Sequence, residues 1–184
     1  FKQKTAYEIR LSLVGSEMCI RDRHCLALVA KNERIMVSRT LSKSYALAGL
    51  RFGYLVAQPQ IIRELVKVKD SYNCDALAIA GATAALEDQA WFTETCATIL
   101  ASRARLLASL RELGFTCVDS QANFIWCEHA TKTSKQLYLD LKAVGALVRY
   151  MNYPDWGDGL RITVGNDEQI DAFLTILREI VSKS

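Results

Sequence analysis

One lysine lies in a setting that suits covalent chemistry. The stretch TLSKSYALAGLRFGY, residues 40–54, places Lys43 among hydroxyls and small residues, with Arg51 eight positions further on. An amine that attacks an aldehyde must be neutral, and partial burial or a nearby cation favours that form. Apolar Leu41 and cationic Arg51 would provide both conditions. Three roles are open for Lys43: a solvated loop residue, a phosphate-binding cation or a nucleophile.

The neighbours of this lysine are of the types that bind phosphate. The hydroxyls of Thr40 and Ser42 are hydrogen-bond donors, and the Arg51 guanidinium can bind two phosphate oxygens at once. Gly49 and Gly53 would let the backbone approach a ligand closely. These residue types favour a phosphorylated ligand beside the lysine, and plain turn hydroxyls are the alternative for Thr40 and Ser42.

A second group of polar residues lies in the C-terminal part of the sequence. Arg161 in GLRITVG is a charge within an apolar strand pattern, and its burial is costly unless it is paired. Arg149 in LVRYM has a similar setting, with a solvated strand end as its alternative role. Asn123 in QANF either hydrogen-bonds a ligand or caps a turn. These three residues are candidates for binding an anion.

Three motifs in order carry a family resemblance. SRTLSKSYALAGLRFGY, DSQANFIW and GDGLRITVG resemble motifs of fold-type I pyridoxal-phosphate aminotransferases, most closely the histidinol-phosphate aminotransferase family. The resemblance runs from about residue 24 to 184 and corresponds to about the C-terminal half of a member. It implies pyridoxal 5'-phosphate as cofactor, held covalently by Lys43, which then moves a proton at the substrate α-carbon. It also implies Thr40, Ser42 and Arg51 as ligands of the cofactor phosphate.

The same resemblance assigns substrate binding to the C-terminal residues. Arg161 would bind the carboxylate or phosphate of an anionic substrate, Arg149 would hold a substrate phosphate, and Asn123 would hydrogen-bond at the site. The expected reaction is transamination between histidinol phosphate and 2-oxoglutarate, in histidine biosynthesis, by a cytoplasmic homodimer. The alternatives are an aromatic amino-acid transaminase, a related phosphate-amino-acid decarboxylase, and a non-catalytic anion-binding module.

Hydrophobic periodicity predicts the elements that position these residues. Apolar runs at 33–37 and 52–57 predict neighbouring strands of a buried sheet, on which a helix beginning near Pro59 should pack. Helices are predicted at 76–86 and at 91–113, the latter ending at Gly114. Beyond it the pattern predicts strands at 115–118, 123–127, 147–150 and 160–164, helices at 133–144 and from Asn166, and a loop at 151–159.

These elements predict an α/β protein with two domains. Residues 24–100 would be the C-terminal remnant of an incomplete fold-type I large domain, and residues 101–184 a small α+β C-terminal domain. Residues 1–23 show no helical period and no signal-peptide layout. Their back-translation resembles two sequencing adapters in one frame, separated by a gap of barcode length. We expect adapter DNA to encode this segment, and the genomic sequence upstream of His24 would test that expectation.

Composition argues against several classes of function. Without residues 1–23, 18 basic and 17 acidic side chains remain, which argues against a nucleic-acid or membrane partner. No apolar run is long enough for a membrane span. Only two histidines occur, and no cysteine has metal-ligand spacing, so no metal site is expected. Reduced, mostly buried thiols are expected for Cys25, Cys74, Cys96, Cys117 and Cys127.

Several cofactor-binding groups of the family have no counterpart here. The resemblance places before the lysine an aspartate at the pyridine nitrogen, an asparagine and a tyrosine at the ring oxygen, a stacked aromatic and a glycine-led phosphate loop. Residues 25–39 contain no match to these groups. The chain by itself is therefore expected to be an inactive fragment of an enzyme.

Overall fold

The computed structural model describes residues 26–154 and 157–182. The segment expected to derive from adapter DNA, residues 1–23, lies outside this part of the chain. The chain forms two compact units, which divide in sequence between Thr93 and Glu94. The domain limits expected from the sequence, 24–100 and 101–184, stay a prediction.

The N-terminal unit consists of short helices and one pair of strands. Its elements are α1 (Leu26–Lys31), β1 (Val37–Thr40), a 3-10 helix (Ala48–Leu50), β2 (Gly53–Val56), α2 (Pro59–Val68) and α3 (Ala76–Glu87). Strands β1 and β2 are antiparallel, with Val37 opposite Val56 and Thr40 opposite Gly53. The predicted pairing of neighbouring strands is confirmed, although β1 begins at the last residue of the predicted run.

The expected burial of this sheet is wrong for the residues that the structure describes. Val37 is fully buried, but Tyr54 and Leu55 of β2 are exposed, because the described sheet has only two strands. Helix α2 begins at Pro59 as predicted, since proline's fixed φ and missing N–H suit the first helical turn. None of its residues is fully buried in the described part of the chain, and Ile61 and Ile62 are half-buried. The expected packing of α2 on the sheet stays a prediction.

The C-terminal unit is a four-stranded antiparallel sheet with helices on one face. Its strands have the order β3-β4-β6-β5. The division between the units falls within the long helix α4. The elements are α4 (Gln89–Glu112), β3 (Phe115–Cys117), β4 (Phe124–His129), α5 (Ser134–Ala143), β5 (Arg149–Tyr153), β6 (Gly157–Thr163) and α6 (Asp167–Ser182).

Alternation along the strands decides which side chains enter the core. The core of the C-terminal unit joins α4, α5 and α6 to one face of the sheet, which contributes Phe115, Ile125, Cys127, Leu160 and Ile162. Successive strand residues point to opposite faces. Trp126 and Arg161 therefore lie on the other face, which we call the open face of the sheet.

The ends of two helices follow the sequence prediction. The Asn166 side-chain oxygen accepts a hydrogen bond from the Gln169 N–H at 2.9 Å, and Gln169 Oε1 accepts one from the Asn166 N–H at 3.1 Å. This reciprocal pair is the capping box predicted for α6. Gly114, with φ +85°, follows the end of α4 in the left-handed conformation that suits a helix stop.

The connection between β5 and β6 is shorter than the sequence predicts. Residues 151–159 are expected to form a loop, whereas β5 runs to Tyr153 and β6 begins at Gly157. The register continues through Met151 opposite Gly159 and Asn152 opposite Asp158. Ladder hydrogen bonds that satisfy these backbone groups outweigh the loop preference of Gly, Asp and Asn. The resulting hairpin carries both candidate arginines.

Candidate functional site

The connection between β1 and β2 brings the two candidate hydroxyls together. Thr40 Oγ1 donates to Ser42 Oγ at 2.8 Å, and the Ser42 N–H donates to Thr40 Oγ1 at 3.1 Å. The backbone N–H of Leu41 donates to Phe52 O at 3.3 Å, which holds the two ends of this connection side by side. Phe52 therefore contacts the start of the connection, and Arg51 is the residue directly before it. We call residues 40–53 the lysine loop.

Lys43 lies on the surface of the lysine loop. Its side chain is exposed, while Leu41, two residues earlier, turns inward and is only 2% exposed. The N–H of Ala46 donates to Lys43 O at 3.1 Å and closes a turn on the lysine. Partial burial of the Lys43 amine was expected but is not found among the described residues. In this turn Leu41 points into the core, and Lys43 points away from it.

Two non-glycine residues of the lysine loop have left-handed backbones. Ala46 has φ +55° and Arg51 has φ +53°. Each such residue costs about 1–2 kcal/mol relative to a right-handed conformation. Strain of this kind clusters at ligand-binding loops, where the surrounding structure maintains it. One strained residue, Ala46, lies between Lys43 and Arg51, and the other is Arg51 itself, the candidate phosphate ligand.

Most of the Arg51 guanidinium is available to a ligand. Nη1 donates to Ala48 O at 3.0 Å, and within the described residues this is the side chain's only hydrogen bond. Gly53 lets the two strands approach closely, since an added Cβ would lie 2.7 Å from Arg39 O across the strand pair. Nothing lies within 4 Å of a Cβ built on Gly49. Gly53 thus permits close strand pairing, and the expected approach of Gly49 and Gly53 to a ligand stays a prediction.

Arg149 and Arg161 face each other across the hairpin. They are directly opposite in the β5–β6 register, with Arg149 exposed and Arg161 half-buried on the open face. The Arg161 guanidinium carbon lies 5.1 Å from the centroid of the Phe124 ring, a cation–π contact. Its Nε is buried and has no hydrogen-bond partner among residues 26–154 and 157–182. Like charges opposite each other destabilise a sheet, and an anion bound between them would remove that cost.

Asn123 precedes β4 and is fixed through its backbone. Its carbonyl accepts a hydrogen bond from the Val164 N–H at 2.9 Å, and its side chain is half-buried. The preceding turn is held by Ser120 Oγ, which donates to Phe124 O at 2.5 Å, and by Arg103 Nη1, which donates to Ala122 O at 2.9 Å. Asn123 therefore lies at the end of the same strand pair that carries Arg161.

An aromatic pair beside the arginines escaped the sequence analysis. Trp126 is opposite Arg161 in the β4–β6 register, and its ring stacks on Tyr153 with centroids 6.3 Å apart. A Cβ added to Gly159 would lie 2.4 Å from the indole, so glycine leaves the space that this ring fills. The signal in the sequence was the spacing of two residues between Phe124 and Trp126, which places both rings on the same face of a strand. The open face thus combines two cations with flat apolar surface.

Tyr150 anchors the hairpin on the core face. Its hydroxyl donates to Asp158 Oδ2 at 2.6 Å, and this hydrogen bond to the carboxylate raises the pKa of the Tyr150 phenol. Ser134 Oγ donates to Asp158 O at 3.0 Å and ties the same strand to α5. These bonds fix the strand pair on which the two arginines lie.

The donor set of the lysine loop fits a phosphorylated aldehyde. Two adjacent hydroxyls and a largely unused guanidinium match a phosphate, and the exposed Lys43 amine matches an aldehyde carbon. In the described part of the chain, no group of three or more His, Cys, Asp or Glu side chains could hold a metal ion. No described helix is long and apolar enough to cross a membrane.

Comparison with known proteins identifies the family. Residues 5–177 match the aminotransferase class I and II family. The chain belongs to this family. Among class I and II relatives, the histidinol-phosphate aminotransferase of Rhodopirellula baltica is 53% identical over 156 residues, which cover 85% of this chain and 43% of that protein. The chain spans about half the length of the curated relatives that it matches.

Two solved structures share the fold. One is histidinol-phosphate aminotransferase from Sinorhizobium meliloti in complex with pyridoxal-5'-phosphate. It has a TM-score of 0.77 and is 24% identical, and the match covers 89% of this chain and 47% of that chain. The other is L-threonine-O-3-phosphate decarboxylase from Porphyromonas gingivalis. It has a TM-score of 0.79 and is 22% identical, and the match covers 94% of this chain and 54% of that chain. At these identities the likeness shows the fold alone. It confirms the predicted α/β class, an incomplete fold-type I large domain followed by a small α+β unit.

Proposed function

We propose that the complete protein carrying this chain is a pyridoxal-phosphate-dependent transaminase acting on histidinol phosphate and 2-oxoglutarate in histidine biosynthesis. The observation that carries the proposal is the lysine loop, where an exposed amine follows two adjacent hydroxyls and precedes a strained arginine. The identity to the Rhodopirellula baltica enzyme supports the substrate assignment. We further propose that the complete protein is a cytoplasmic homodimer.

Each residue of the lysine loop has a separate task in this proposal. Thr40 and Ser42 would donate hydrogen bonds from their hydroxyl groups to the cofactor phosphate, with the Thr40 hydroxyl turning to it from Ser42. Arg51 would neutralise the phosphate charge with the donors that the described residues leave unused. Bound pyridoxal phosphate supplies a reactive aldehyde and a ring that takes up electrons when the substrate α-C–H bond breaks. Lys43 is the residue that would hold the aldehyde carbon, and its free amine would move the proton at the substrate α-carbon.

The arginine pair of the C-terminal unit binds the anionic end of the substrate. Two guanidinium groups opposite each other suit a doubly charged phosphate better than a single carboxylate, because each can donate two hydrogen bonds. Arg161 also serves the carboxylate of the glutamate or 2-oxoglutarate partner. Asn123 adds a neutral donor at the end of β4. The substrate phosphate therefore depends most on Arg149, the more exposed of the two cations.

Activity measurements on the complete enzyme test these roles. Lys43→Arg should abolish turnover, while Lys67→Arg, at an exposed lysine of α2, should leave it unchanged. Arg149→Gln should raise the KM for histidinol phosphate and leave the KM for 2-oxoglutarate nearly unchanged, with exposed Arg178→Gln as the matched control. Full turnover by the Lys43 variant would contradict the proposal. Equal effects of Arg149→Gln on both substrates would contradict the phosphate assignment.

A decarboxylase acting on a phosphorylated amino acid is the second candidate. The shared fold of the Porphyromonas gingivalis enzyme favours it, and the lysine loop and arginine pair would serve that reaction as well. Release of carbon dioxide from a phosphorylated amino acid, without transfer to 2-oxoglutarate, would support this candidate. Residues 1–184 alone should show no turnover in either assay, because residues 25–39 offer no partner for the cofactor ring.

A further inference from the structure

Two cysteines face each other at one edge of the C-terminal sheet. Cys117 is opposite Cys127 in the antiparallel pair of β3 and β4. The Ala130 N–H donates to Gly114 O, and the Val118 N–H donates to Trp126 O, both at 3.2 Å. Hydrogen-bonded and non-hydrogen-bonded positions alternate along an antiparallel ladder. The cysteines lie one residue inside the second of these bonds, at a non-hydrogen-bonded position.

This position has the geometry that a disulfide requires. The Cα atoms of a non-hydrogen-bonded pair are about 4.5 Å apart, and bridged cysteines have Cα separations of about 4.4–6.8 Å. Both side chains lie on the core face, where Cys127 belongs to the hydrophobic core and Cys117 packs against it. Both are free thiols. A sulfur–sulfur bond could therefore form without moving either strand.

The two thiols differ in a way that gives each a distinct role. Cys127 is fully buried, whereas Cys117 is partly exposed. A hydrogen bond from the Cys127 thiol lowers the pKa of Cys117, and the positive charge of Arg111 lowers it further. The same bond, together with burial, raises the pKa of Cys127. Cys117 is therefore the more accessible and more acidic thiol, and Cys127 is its protected partner.

We propose that Cys117 and Cys127 are a redox modification site, which forms an intrachain disulfide with a small disulfide of the glutathione class. The Cys117 thiolate attacks one sulfur of the small disulfide, forms a mixed disulfide and releases one thiolate. Cys127 then loses its proton to the released thiolate or to water and attacks the Cys117 sulfur, which releases the second thiolate. Two protein thiols are oxidised and one small disulfide is reduced to two thiols.

The bond would hold the turn that carries Asn123. Residues 118–123 connect the two strands, so a bridge between Cys117 and Cys127 closes the loop at its base. Strand β3 has three residues and lies at the edge of the described sheet, where it pairs with β4. Oxidation should therefore raise the midpoint of thermal unfolding of the C-terminal unit and protect residues 118–123 from proteolysis.

Peptide mapping of the full chain tests the proposal. No lysine or arginine lies between Arg111 and Lys132, so trypsin releases both cysteines in one peptide, Glu112–Lys132. After incubation with oxidised glutathione and alkylation, this peptide should carry no alkyl group and weigh two hydrogen atoms less than its reduced form. Cys127→Ser should instead retain glutathione on Cys117, and Cys117→Ser should leave Cys127 a free thiol.

The controls separate a built pair from general thiol oxidation. Cys74→Ser, at a half-buried cysteine of the N-terminal unit, should leave the bridge unchanged. Bridge formation in urea should be much slower than in the folded chain. The proposal is overturned if both thiols of Glu112–Lys132 remain alkylatable while Cys74 is oxidised, or if the bridge forms equally fast in urea. Absence of the glutathione adduct in Cys127→Ser would overturn the assigned order of attack.

Discussion

Gly159→Ala places a methyl group against the indole of Trp126. The added Cβ would lie 2.4 Å from Trp126 Cζ2 and 2.5 Å from Cε2. Ordinary contact needs about 3.5 Å, so the ring must move by about 1 Å. That shift acts on the stacking with Tyr153 at 6.3 Å and on the hydrogen bond from the indole N–H to Glu128 Oε1 at 3.4 Å. The substitution is therefore a sensitive probe of the open face.

The expected cost is a balance of opposing terms. Overpacking costs about 1–3 kcal/mol, and the stacked pair contributes about 0.5–1.5 kcal/mol. Alanine also reduces the conformational freedom of the unfolded chain, which offsets about 0.4–1 kcal/mol. The losses from overpacking and stacking exceed the gain from the unfolded chain, so the free energy of unfolding should fall by about 2 kcal/mol.

Urea unfolding followed by circular dichroism measures this cost. Trp126→Leu removes the clashing ring, so the double variant Gly159→Ala/Trp126→Leu should lose less stability than the sum of the two single variants. Gly49→Ala is the control, since nothing lies within 4 Å of its added Cβ. Unchanged stability of Gly159→Ala, or additive effects in the double variant, would refute the assigned packing.

Three further substitutions test other parts of the fold. Asn166→Ala removes half of the α6 capping box and should lower the free energy of unfolding by about 1 kcal/mol; exposed Thr175→Ala in the same helix is the control, and an equal loss there would refute the assignment. Gly114→Ala forces a side chain into φ +85° with its Cβ 3.2 Å from His129 Nε2. It should cost about 1–2 kcal/mol in the same urea assay, and a neutral result would contradict the left-handed stop. The hydrogen bond to Asp158 raises the pKa of Tyr150, so the folded state holds this proton more tightly than the unfolded state. Its contribution to stability is complete below about pH 10, the ordinary tyrosine value, and is lost as the pH rises further. Urea titrations from neutral to alkaline pH should show this loss in the wild type and a weaker one in Tyr150→Phe; equal slopes would contradict it.

Local signals in the sequence predicted what depends on neighbouring residues. The capping box of α6, the start of α2 at Pro59 and the stop of α4 at Gly114 each rest on side chains or φ values within one helical turn. The resemblance to family motifs identified the lysine loop as a candidate site. Its candidate roles stay predictions, although Thr40 and Ser42 do lie in contact.

Features that depend on register or on packing between elements could not be predicted. The opposition of Arg149 and Arg161 requires the hairpin to continue through residues that favour a loop, and only the pairing of both strands shows it. The exposure of Lys43 depends on which side chain of its turn enters the core. Gly53 and Gly159 are alike in sequence terms, yet one makes room for the Arg39 carbonyl and the other for the Trp126 ring.

Covalent capture of the cofactor tests the central proposal most directly. The complete enzyme carrying this chain is incubated with pyridoxal phosphate, reduced with borohydride and digested with trypsin. A label on Lys43 blocks cleavage there, so the labelled peptide should be Thr40–Arg51. Lys67→Arg should give the same peptide. Arg51→Gln removes one cleavage site, so its labelled peptide should run from Thr40 to Arg63, and it should require more cofactor for equal labelling. A stable label on any other lysine, or no label on Thr40–Arg51, would contradict the account.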